Sequence, residues 1–98
     1  MARVEWTPEA VTDVARLYQF IAQESPEAAG RIAGLLQYHT DLLTQSPGLG
    51  RLVDEGSGRR ELYVPFGVSR YIVSYERNRE GHSVILRVWH SREARNPV

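Results

Sequence analysis

The stretch ELYVPFGVSRYIVSYERNREGHSVILRVWH, residues 61–90, decides the fold of this 98-residue chain. It divides into three apolar runs at two turn signals. Glu61-Leu62-Tyr63-Val64 is the first run, stopped by Pro65 and Gly67. The second, Arg70 to Tyr75, places Tyr71, Val73 and Tyr75 on one face and Ile72 on the other. The third, Ser83 to His90, is read with Val84, Leu86 and Val88 inward and Ile85, Arg87 and Trp89 outward, on strict alternation. The turns at 65–69 and 77–82 are short, so each run folds back on the one before it as an antiparallel meander.

Working outward, residues 46–58 hold Pro47, Gly48, Gly50, Gly56, Ser57 and Gly58 and read as a surface loop. Before it, Ser25-Pro26-Glu27 is a helix start: an N-capping hydroxyl, proline at the first helical position and an acid near the positive end. Apolar residues then recur at three- and four-residue steps from Ala28 to Leu43, so a helix runs to about Gln45. Thr7-Pro8-Glu9 repeats the start signal, and Val11, Val14, Tyr18 and Ile21 continue a helix to about Gln23. About three residues separate the helices, which makes them an antiparallel hairpin. Ala2, Val4 and Trp6 alternate with Arg3 and Glu5 as a short first strand. The expected order is β-α-α-β-β-β. The fold class is α+β, a helical hairpin packed on one antiparallel sheet. Residues 1–98 read as one domain, with a frayed tail from about 94.

Composition narrows the function. All 12 basic residues are arginine, there is no lysine, and 12 acids bring the net charge to zero. That balance argues against a protein that coats nucleic acid non-specifically. The charge is unevenly spread: residues 1–49 carry three arginines and six acids, residues 50–98 nine and six. The absence of cysteine excludes disulfides, thiolate metal sites and a cysteine nucleophile. Glu5, Glu9 and Asp13 interrupt any apolar leader, and no apolar run approaches the ~20 residues of a membrane span. The expectation is a cytoplasmic protein with no membrane association.

Three histidines are candidates for chemistry. His39 lies on the apolar stripe of the second helix and reads as core edge; His82 lies in a turn and reads as solvated. His90 ends the last strand beside cations, a place for a general acid or base or for a histidine bonded to backbone. No metal-ligand spacing and no phosphate loop is present, so neither metal nor cofactor is expected. Arg59, Arg60, Arg70, Arg87 and Arg92, interleaved with Tyr63, Tyr71 and Trp89, form either a binding face or a solvated sheet face paired with Glu61, Glu76 and Glu93.

Together these segments resemble the ParE/RelE superfamily of bacterial type II toxins. The matching pieces are Trp6-Thr7-Pro8-Glu9-Ala10 with Asp13, Ser25-Pro26-Glu27-Ala28-Ala29, Leu43 to Pro47, Gly50-Arg51 and Arg60-Glu61-Leu62. They continue with Tyr71-Ile72-Val73-Ser74-Tyr75 and Val84-Ile85-Leu86-Arg87-Val88-Trp89-His90-Ser91-Arg92, in order across nearly the whole chain. The superfamily's β-α-α-β-β-β fold agrees with the pattern above.

The resemblance implies one of two activities. RelE-like members cut mRNA on the ribosome, using second-strand lysines, an arginine after the third-strand tyrosine and an arginine after the last strand. ParE-like members poison DNA gyrase. Here lysine is absent, and Ile72 follows Tyr71 where a phosphorane-stabilising cation is needed. Ser91 rather than Arg92 falls nearest the final cation position. The Trp-Thr-Pro start, Pro47-x-x-Gly50-Arg51 and the ending around His90 look closer to ParE, although Val88-Trp89-His90-Ser91-Arg92 is one place short of Val-x-His-x-x-Arg.

The reading is therefore a gyrase-inhibiting toxin with no catalytic residues. Arg59, Arg60, Arg70, Trp89, His90 and Arg92 are its candidate target contacts. The alternative is a ribosome-dependent mRNA endoribonuclease working through His90, Arg70 and Arg92, with Arg59 as a further phosphate binder. Either implies a ParD-like antitoxin partner in a toxin–antitoxin hetero-oligomer. Leu17, Tyr18, Phe20 and Ile21 exceed what one helix face buries and are the candidate antitoxin contacts.

Overall fold

The computed structural model describes residues 2–93. The tail from 94, expected to fray, lies outside the described residues. In chain order the elements are β1 (Val4–Trp6), α1 (Pro8–Ala22), α2 (Pro26–Asp41), a 3-10 turn at Leu42–Thr44, β2 (Arg51–Asp54), β3 (Arg59–Phe66), β4 (Ser69–Arg77) and β5 (Ser83–His90). The strands form one mixed sheet, ordered β1-β5-β4-β3-β2, and α1 packs on β5 and α2 on β3.

Both helix starts form as their capping residues require. Thr7 Oγ1 accepts the Ala10 N–H at 3.1 Å and Ser25 Oγ accepts that of Ala28 at 3.1 Å, each ahead of a proline at the first turn. Thr7 also ties α1 to the sheet. Its hydroxyl donates to the Leu86 carbonyl at 3.0 Å and its N–H to the Ile85 carbonyl at 3.0 Å.

The strand architecture departs from the sequence reading in three places. First, Arg51–Asp54 is an edge strand inside the expected loop, antiparallel to β3. Four mostly exposed residues between glycines carry little periodic signal; pairing with β3 makes the strand. Second, β1 pairs with β5 in parallel, Val4 opposite Ser83 and Trp6 opposite Ile85, so the sheet is not purely antiparallel. The helical hairpin carries the chain across the sheet, and the meander returns beside β1 in the same direction. Third, β5 carries a bulge. Ser74 faces Arg87 and Tyr75 faces Ile85, so Leu86 is unpaired and alternation breaks there. Ile85 and Val88 are both fully buried in the core, while Val84 and Leu86 are half-buried.

His82 also differs from expectation. It is buried, its Nδ1 accepts the Arg3 N–H at 2.9 Å, and its N–H donates to Asn78 Oδ1 at 3.0 Å. The histidine thereby anchors β1 to the turn before β5. His39 is half-buried, with Nδ1 2.9 Å from the Leu35 carbonyl oxygen.

The core lies between the helices and one sheet face, built on Leu17, Leu36, Leu43, Val64, Val73, Tyr75 and Val88. Tyr75 closes it against the 47–50 segment. Its hydroxyl donates to the Pro47 carbonyl and accepts the Gly50 N–H, both at 2.8 Å. Gly50 is obligatory here: a Cβ would lie 2.7 Å from Tyr75 Cε1 and 2.9 Å from the Glu61 carbonyl oxygen.

Candidate functional site

Alternation along β4 sorts the candidate residues between the two sheet faces. Tyr71 points into the core, so Arg70 points to the face away from the helices. There its guanidinium lies 4.5 Å from the centroid of the Tyr63 ring, and the Tyr63 hydroxyl donates to Glu61 Oε1 at 3.0 Å. Trp89 pairs with Ile72 on the same face, is buried rather than displayed, and has the Arg87 guanidinium 5.6 Å from its ring centroid. Arg59 is half-buried opposite Asp54. Arg60 turns to the helix side, where Nη1 donates to the carbonyls of Gly50 at 2.7 Å and Gly48 at 3.3 Å. It braces the 47–50 segment, a structural task the sequence reading did not assign.

His90 sits on the helix side, opposite Tyr71, with the rings edge to face at 5.2 Å between centroids. Its N–H donates to Glu93 Oε1 at 2.8 Å, and Nδ1 accepts the Arg92 N–H at 3.1 Å. Nδ1 being an acceptor, the neutral ring carries its proton on Nε2. Arg92 is exposed. The sheet thus separates His90 from Arg70, and the triplet His90, Arg70 and Arg92 does not converge on one point.

A buried acid supports this strand end. Asp13 is 4 % exposed on α1. Its Oδ2 accepts Arg87 Nε at 2.7 Å and the Val88 N–H at 2.9 Å; Oδ1 accepts Arg87 Nη2 at 3.1 Å. Burial alone pushes its carboxyl up, but the hydrogen bonds from Arg87 and Val88, with the Arg87 charge, hold it below the ordinary carboxylate value. Arg16, one turn on, donates to Asp13 Oδ1 at 3.5 Å and also binds Glu93. Burial, reinforced by the Glu93 charge, pushes the Tyr71 hydroxyl up. Sequence reasoning did not give Asp13 a role. The available signal was a carboxylate within the apolar stripe, three residues after Ala10 and four before Leu17.

The surface of α1 is apolar on both flanks. Toward α2 lies a groove of about 610 Å³ lined by Trp6, Val11, Val14, Tyr18 and Leu36. Toward the sheet lies a hollow of about 390 Å³ lined by Arg16, Leu17, Phe20, Ile21, Tyr71, His90 and Glu93. Of the candidate partner contacts, Phe20 is 71 % exposed and Tyr18 43 %, Ile21 is half-buried against the core, and Leu17 is buried within it. Leu17 is therefore a core residue at the floor of the hollow, not a free contact. Among the described residues no three His, Cys, Asp or Glu are grouped to hold a metal ion, and no helix is long and apolar enough to cross a membrane.

Residues 4–95 match the family described as ParE toxin of type II toxin-antitoxin system, parDE. Toxin RelE1 of Caulobacter vibrioides is 39 % identical over 87 residues, covering 88 % of this chain and 89 % of that protein. Toxin RelE3 of the same organism is 36 % identical over 95 residues, covering 97 % and 100 %. A solved chain of the chromosomal ParDE TA system from P. aeruginosa has the same fold, with a TM-score of 0.73 at 20 % identity over 92 % of this chain and 96 % of that one.

Proposed function

The chain belongs to the ParE toxin family of type II toxin–antitoxin systems, and from that membership we propose that it inhibits DNA gyrase in the cytoplasm and is neutralised by a ParD-like antitoxin. The observation that carries this reading over mRNA cleavage is the separation of Arg70 from His90, the candidate acid-base. Arg70 stacks on Tyr63 on one side of the sheet and His90 packs on Tyr71 on the other. A phosphoryl-transfer site needs its acid-base and its cations around one phosphate. Ile72, buried on the Arg70 side, offers no charge there.

In this reading the toxin has no chemistry of its own. It acts by holding the gyrase–DNA complex in its cleaved state, with the strand end around His90 and Arg92 and the arginines of the outer face as target contacts. The antitoxin covers α1 through Tyr18, Phe20 and Ile21, of which Tyr18 and Phe20 are large apolar side chains left exposed on the helix.

Supercoiling by gyrase tests the proposal directly. Purified toxin inhibits the reaction and accumulates cleaved DNA; no effect at micromolar toxin removes the gyrase assignment. Because the relatives bear the name RelE, primer extension on mRNA after induction belongs in the same experiment. Codon-specific cuts that vanish in His90→Ala would establish the nuclease instead.

A further inference from the structure

The turn after β5 is held from a distance. Beyond His90 the backbone turns, with the Glu93 N–H donating to the His90 carbonyl at 3.0 Å. Glu93 then folds back: Oε1 accepts the His90 N–H at 2.8 Å, and Oε2 accepts Arg16 Nη1. Arg16 is itself aimed by Asp13, which is locked to Arg87 and Val88 on β5. The guanidinium fork suits this task, presenting Nη1 to Glu93 and Nη2 to Asp13 in one plane. Three charged groups therefore connect the middle of α1 to a turn 77 residues further along the chain.

We propose that Arg16 and Glu93 form a clasp that fixes the His90–Arg92 turn in its target-facing geometry, with Arg16 as the positioning residue and Asp13 as its support. This rests on the strand end being a target contact, but not on gyrase being the target. Without Arg16, the turn keeps among the described residues three short local bonds, Glu93 N–H to the His90 carbonyl, Arg92 N–H to His90 Nδ1 and His90 N–H to Glu93 Oε1, and one cross-strand bond, Ser91 N–H to the Arg70 carbonyl at 3.0 Å. The pair is partly exposed, with side-chain exposures of 42 % for Arg16 and 32 % for Glu93. Its net contribution to global stability is accordingly small, and its effect is local order.

The test compares wild type, Arg16→Gln, Glu93→Gln and Arg16→Lys in the full chain. Amide exchange at His90 and Glu93 is measured by NMR, and growth arrest after induction without antitoxin is measured in cells. In Arg16→Gln both amides exchange about tenfold faster and arrest requires about tenfold more toxin, while the thermal midpoint stays within about 3 °C of wild type. Glu93→Gln, which keeps an acceptor for the His90 N–H but loses the charge, behaves likewise. Arg16→Lys, which keeps the charge but not the planar fork, recovers only part of both effects. Unchanged exchange in Arg16→Gln overturns the clasp. Faster exchange with undiminished arrest overturns its link to the target face. His90→Ala and Arg92→Ala that arrest growth as wild type does would show instead that the strand end is not a target contact, whatever the exchange data say.

Discussion

Truncating Asp13 to alanine is the sharpest test of how α1 is fastened to the sheet. The carboxylate is 4 % exposed and receives the N–H of Val88, a residue with no exposure at all. Removing it orphans that N–H, at about 1–3 kcal/mol. Arg87 loses two charge-assisted bonds, worth about 1.5–3 kcal/mol in a buried setting. Its side chain is 29 % exposed, so water recovers part of that. The sum is about 3 kcal/mol, the low end of what breaking a buried ion pair costs. For a domain of this size, that lowers the thermal midpoint by about 12–24 °C.

Urea unfolding followed by the fluorescence of Trp6 and Trp89 measures the loss, with an unchanged slope showing that the folded state is intact. The pH dependence supplies an internal check. Asp13 titrates below its ordinary value when folded, so its stabilisation is full above about pH 4 and disappears as pH falls through the folded value. The gap between wild type and Asp13→Ala therefore narrows in acid. Asp13→Asn, which keeps one acceptor, falls between them. A loss in Asp13→Ala below about 1 kcal/mol, or a gap that does not change with pH, refutes the role assigned to this carboxylate.

Three other outcomes follow from the same geometry. Tyr75→Phe frees both the Gly50 N–H and the Pro47 carbonyl from the hydroxyl and lowers stability by about 1–3 kcal/mol in urea titration; an effect within about 0.5 kcal/mol argues against the 47–50 tether. Gly50→Ala forces a Cβ to within 2.9 Å of the Glu61 carbonyl oxygen, and backbone cannot swing aside as a side chain can. Its cost is about 2 kcal/mol or more, read as a lower urea midpoint. Phe20→Asp, at a residue 71 % exposed, leaves the thermal midpoint nearly unchanged and weakens antitoxin binding by about 2 kcal/mol in calorimetry; wild-type affinity would remove Phe20 from the antitoxin face.

Local signals carried most of the architecture. Thr7-Pro8 and Ser25-Pro26 mark both helix starts because a capping hydroxyl and a prolyl ring act within one turn of chain. The two hairpins of the meander follow from Gly67 and Gly81, both at positive φ, between alternating apolar runs. These features depend on neighbours in sequence, and a sequence displays its neighbours.

Partners distant along the chain decided the rest. Arg51–Asp54 becomes a strand only because β3 lies beside it, and β1 runs parallel to β5 because of where the helical hairpin returns the chain. One unpaired residue, Leu86, reversed the expected inward set before it and brought Ile85 into the core. The same kind of long-range geometry divided the candidate site. Arg70 and His90 sit on paired neighbouring strands at the same end of the sheet, yet the pleat sends them to opposite faces. Asp13, Arg16, Glu93 and His90 became one network because α1 crosses β5, a contact between residues more than 70 positions apart. The sequence by itself determined the family and every element but the Arg51–Asp54 strand. Which side chains meet depends on pairing register and helix docking, and only the folded chain supplies both.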